Sequence, residues 1–88
     1  MPELSRFNGI SIMMYYEDGG QHHKPHVHVN YAEHRASVSL NGDLLEGSLP
    51  LKQLHMVEAW AALREDELHK AWVRAVRNEN PGKIEPLR

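Results

Sequence analysis

A chain of 88 residues, 41% apolar and 25% charged, has the length and composition of one small globular domain, spanning residues 1–88. Its formal net charge of −2 argues against sequence-blind binding to nucleic-acid backbones, and its lack of cysteine excludes disulfides and thiolate metal ligands. No apolar run approaches the roughly 20 residues of a membrane span, and the opening MPELSRFNGI is too polar for a secretory leader. A cytoplasmic protein is expected.

The elements follow in chain order. Residues 9–17 read as a strand, with Ile10, Ile12, Met14 and Tyr16 on one face and Ser11, Met13 and Tyr15 on the other. Asp18-Gly19-Gly20 breaks it. Residues 26–31 alternate again: Val27, Val29 and Tyr31 point one way, His26, His28 and Asn30 the other. Pro25 suits the start of a strand. After the short connection at residues 32–34, Ala36, Val38 and Leu40 face inward while Arg35, Ser37 and Ser39 face outward. Asn41-Gly42 is a strong hairpin signal, and residues 44–49 can form a further short strand.

The period then changes from two to that of a helix. Pro50 suits a first helical turn. Leu51, Leu54, Val57, Trp60 and Ala61 form one apolar stripe, and Leu68, Ala71, Trp72, Ala75 and Val76 a second. A straight helix over residues 50–78 would run about 43 Å, longer than the roughly 30 Å span of such a domain. A break near residues 63–66 is therefore expected. Asn80-Pro81-Gly82 would stop the second helix, and KIEPL could lie against the sheet. The predicted fold is α+β: an antiparallel β-meander of three to four strands followed by two helices packed on one sheet face. Trp60 and Trp72 read as anchors between these layers. Lys70, Arg74 and Arg77 form a solvated basic edge with Glu67 as an i,i+3 partner, and His55 and His69 are solvated.

Four of the seven histidines crowd into residues 22–28, HHKPHVH. Protonating all seven would carry the net charge from −2 to +5, so charge depends steeply on pH below neutrality. His26 and His28 are two apart on a strand, and both rings leave the face opposite the valines. They are expected to stay outside the core while Val27, Val29 and Tyr31 are buried.

Four readings of this stretch stand side by side. His26 and His28 could hold a divalent transition metal such as zinc, with Asp18, Glu17 or His22 completing the site. They could serve as general acid and base on a phosphodiester, with Lys24 or Arg35 stabilising developing charge. They could join His22, His23, Asn30 and Arg35 in a surface that binds RNA or an acidic partner without chemistry. They could also be plain solvated polar residues. The His-apolar-His-apolar-His signature of nucleotide hydrolases is broken by Asn30. Met13 and Tyr15 put apolar area on the histidine side, which points to a partner site and to a homodimer.

The segments SRFNGISIMMYYED, PHVHVNY, LEGSLP, LREDELHKAW and KIEPL, in this order, resemble the small bacterial family called domain of unknown function 4160. The resemblance runs from Ser5 to Leu87. Its most specific element is Pro25-His26-Val27-His28. Lys24 stands where a second proline is frequent, and Ala59 where an acidic residue usually precedes the helix tryptophan. The resemblance implies a prokaryotic protein encoded beside a second small protein, in a toxin–antitoxin-like module. It implies no reaction. The chain is thus expected to act as a binding domain for that partner protein or for RNA, with metal binding or His-dependent phosphodiester cleavage as the alternative.

Overall fold

The computed structural model describes residues 3–16 and 24–87. Five strands precede two helices: β1 (Glu3–Phe7), β2 (Ile10–Met13), β3 (His26–Tyr31), β4 (His34–Ser39), β5 (Leu44–Gly47), α1 (Leu51–Leu63) and α2 (Glu65–Val76). The strands form one antiparallel sheet in the order β1-β2-β3-β4-β5. The α+β meander is as expected, but with five strands instead of three to four.

The additional strand is β1. It turns into β2 through Asn8-Gly9, whose φ values of 50° and 78° are both positive, as a type I′ hairpin turn requires. A register shift between Glu3 and Ser5 puts both Leu4 and Ser5 in the interior, which breaks the alternation by which a strand is recognised. By contrast, Asn41-Gly42 lies in a longer loop over residues 40–43, closed by Ser39 N–H donating to the Asp43 carbonyl at 2.8 Å.

Leu4, Phe7, Ile10, Ile12, Val27, Val29, Ala36 and Val38 present the sheet's apolar face to Val57, Trp60 and Ala61 of α1 and Leu68, Ala71 and Ala75 of α2. Tyr31 is only half-buried, and Leu51 and Val76 are exposed at the outer ends of their helices. The helices break at Arg64, whose N–H still donates to the Trp60 carbonyl while its own carbonyl accepts from Leu68. Glu67 pairs there with Arg64 at 3.5 Å. The second helix ends earlier than expected. Asn78 takes a left-handed φ of 60°, Glu79 N–H reaches the Arg74 carbonyl and Asn78 N–H the Ala75 carbonyl, a Schellman closure.

Both sheet edges are blunted. The tail runs along β1, with Ile84 N–H donating to the Leu4 carbonyl, the Lys83 ammonium to the Glu3 carbonyl, and the Trp60 indole N–H to the Glu85 carbonyl. On the other side β5 is four residues long and its register slips against β4. Among the described residues no helix is long and apolar enough to cross a membrane.

Candidate functional site

With the helices on one face, no described element packs over the other face of the sheet. Register fixes what it displays. His28 of β3 lies between Met13 of β2 and Ser37 of β4; Asn30 lies between Ser11 and Arg35; His26 pairs with Ser39, and Ser37 with Glu46 of β5. The small side chain of Ser37 leaves room above the sheet. A concavity of about 350 Å³ opens there, lined by Met13, Tyr15, His28, Asn30, Arg35 and Glu46 among others. Gly47, also at its wall, has φ of 82°, and a Cβ there would collide with the Arg35 carbonyl oxygen.

The rings at the site form a continuous chain. Tyr15 stacks on His28 with centroids 4.1 Å apart and planes within 3°. His28 meets His26 edge-on at 5.0 Å. His26 lies 5.3 Å from Trp72 of α2, and Tyr16 contacts Trp72 edge-on at 5.8 Å. His26 opens β3, so its ring reaches Trp72 around the end of the sheet. Its Nδ1 is 2.7 Å from the Lys24 carbonyl. A carbonyl can only accept, so Nδ1 carries hydrogen, and in the neutral ring Nε2 holds the basic lone pair.

This overturns one expectation. His26 is 8% exposed and counts among the buried polar residues. The strand face assigned to it is correct, but Trp72 covers that end of the face. His28 is half-buried, as are Asn30 and Tyr15, and Arg35 is exposed. Of the residues singled out in the sequence, His28, Asn30 and Arg35 come together at the concavity, with His26 behind His28. Lys24 does not join them: it is exposed and borders a separate hollow of about 160 Å³ with Ser39, Asp43 and His69. Glu17, Asp18, His22 and His23 lie outside the described residues. Among the described residues no three His, Cys, Asp or Glu side chains are grouped as a metal site. Glu46 and the Trp72 contact escaped the sequence reading. Alternation along residues 44–47 could have placed Glu46 on this face, whereas the reach of Trp72 to His26 depends on the helix break and left no local signal.

Charges on the open face are mixed. Beside the concavity, Glu3 accepts from the Arg6 guanidinium at 2.8 Å and from the Ser11 hydroxyl at 2.8 Å. The Arg6 bond, then the Ser11 bond, hold the Glu3 carboxyl below its ordinary value, and Glu3 raises Arg6 in return. Arg35 and Glu46 are opposite charges among the described residues that line the concavity.

The family model for the domain of unknown function DUF4160 matches residues 9–73, and the chain belongs to that family. No curated protein and no solved structure gives a significant match.

Proposed function

We propose that this DUF4160 domain is a binding module of a toxin–antitoxin-like two-gene system, and that its open sheet face takes unpaired bases of RNA. The observation that carries this reading is the Tyr15–His28 stack beside a polar concavity on the sheet face opposite the helices. Single-stranded RNA is read by stacking bases on aromatic side chains and bonding their polar edges, and every base offers a face to stack on. Asn30, Arg35 and Ser37 supply edge-bonding groups at the same place. A protein interface core is depleted in charge and rich in apolar area. Here Met13 and Tyr15 are flanked by Arg35, Glu46, Asn30 and Ser37, which suits a small planar polar group better. Few phosphates would be neutralised, so the salt slope of binding should be shallow, about −0.7 for one contact with a single strand.

A second reading has one observation in its favour. The Nδ1 contact with the Lys24 carbonyl fixes the tautomer of His26 next to His28, as acid–base catalysis requires. Its burial beneath Trp72 instead suits a residue that positions His28.

The test is fluorescence anisotropy of labelled single-stranded RNA heptamers of mixed sequence, with the RNA checked for cleavage afterwards. Binding should weaken about tenfold or more in Tyr15→Ala, since one stacked base contributes about 1–3 kcal/mol. The RNA should emerge intact. Cleavage by the wild type but not by His28→Gln would replace this reading with the enzymatic one. Absence of RNA binding, with Tyr15-dependent binding of the co-expressed neighbouring gene product, would replace it with a protein partner.

A further inference from the structure

The base-binding reading leaves open which base the concavity prefers, and the charged pair at its wall bears on that choice. Glu46 is paired with Ser37, and Arg35 lies two residues from Ser37 along β4, so both side chains rise from the same face. Such diagonal neighbours are about 7–8 Å apart at the backbone. They offer a carboxylate that accepts two hydrogen bonds and a guanidinium that donates two. Tyr15 and His28 stand at the same concavity as a stacking surface, with Asn30 alongside. Its volume of about 350 Å³ lies within the usual range for small-molecule sites, about 300–1,000 Å³.

Resting on that reading, we propose that the concavity is selective for guanine, with Glu46 and Arg35 as the residues that determine the choice. Guanine carries two adjacent donors, N1–H and the N2 amino group, which a carboxylate can accept together. On the adjoining edge it carries two acceptors, O6 and N7, the pair that an arginine fork recognises. Adenine presents an amino donor beside an acceptor nitrogen, so its N1 lone pair would face the Glu46 carboxylate in repulsion. Cytosine has the same mismatch at N3. Uracil has one N–H flanked by two carbonyls, which would also oppose the carboxylate. Guanine is therefore the base whose two edges match both charges while its plane is left to stack on Tyr15. The mixed charge that argues against broad phosphate binding becomes the selective feature here.

The experiment is an NMR titration of the full chain with GMP, AMP, CMP and UMP separately, following backbone amides and fitting affinities. GMP should shift residues around Tyr15, His28, Arg35 and Glu46 and bind about tenfold or more tighter than AMP, in keeping with the worth of a bidentate base contact. Glu46→Gln, at an exposed position, should remove the preference for GMP over AMP, weakening GMP and strengthening AMP as the repulsion at adenine N1 is relieved. Arg35→Gln should weaken GMP more than UMP. If all four nucleotides bind equally at this face, or if Glu46→Gln retains the preference, guanine selection is wrong and base binding stands. If no nucleotide binds and RNA heptamers do not either, both readings fail together.

Discussion

The imidazole of His26 lies 5.3 Å from the indole of Trp72, and through this contact the helix layer reaches the open face of the sheet. His26 in turn meets His28 at 5.0 Å, and His28 carries the Tyr15 stack. Rings packed in series hold one another's orientation, because interiors at native density leave little freedom for a ring to tilt. Trp72→Ala should therefore have two effects. It should lower stability by about 2–3 kcal/mol, somewhat less than the 3–5 of a fully enclosed aromatic, since Trp72 is only half-buried. It should also weaken RNA binding, although the indole is not at the concavity. Urea denaturation followed through Trp60, together with RNA anisotropy, checks both. Unchanged RNA affinity in a folded Trp72→Ala protein would show that the ring chain does not position His28.

The turn between β3 and β4 stores backbone strain at a definite place. Ala32 has φ of 51°, in the left-handed region where a Cβ is crowded, at a cost of roughly 1–2 kcal/mol. Glycine would relieve that crowding but give back part of the gain as unfolded-state entropy, about 0.5–1 kcal/mol. Ala32→Gly should raise stability by about 0.5–1 kcal/mol without altering the sheet register. A denaturant midpoint that fails to rise would mean that the turn is held open by other contacts.

The sheet's central registers were legible in the sequence because one face is apolar. Val27 and Val29 alternate against His26 and His28, and a slip of one residue would exchange them. The helix break was legible from length alone. What stayed hidden has physical causes. The strand at Glu3–Phe7 was masked by the register shift that buries two consecutive residues, Leu4 and Ser5, though Asn8-Gly9 carried the same hairpin signal as Asn41-Gly42. The stop of α2 was read from Asn80-Pro81-Gly82, but the chain leaves the helix two residues sooner, at an asparagine in the left-handed conformation. For the site, period two placed His28, Asn30 and Arg35 on one face correctly. Burial of His26 and the stacking of Tyr15 depend on contacts between residues distant in sequence or beyond the end of a strand, which alternation does not encode.

Glu3 gives the open face a dependence on acid that can be worked out in sign. Its carboxyl is held below its ordinary value of 4.5 by the Arg6 guanidinium and, next, by the Ser11 hydroxyl. A carboxyl whose pKa is depressed by folding stabilises the folded state at pH above its unfolded value. That contribution falls away as pH drops through the folded value, because the unfolded chain then takes up the proton first. Wild-type protein should therefore lose stability below about pH 4.5 more steeply than Glu3→Gln, which has no proton to gain there. The pair is exposed, so the difference should shrink at 1 M salt, where the screening length is about 3 Å. The Ser11 bond, being less sensitive to ionic strength, should keep part of it. Thermal melts of the two proteins from about pH 2.5 to 7, at low and high salt, read the difference directly. Parallel profiles would show that the Glu3–Arg6–Ser11 cluster forms no better in the folded protein than in the unfolded chain.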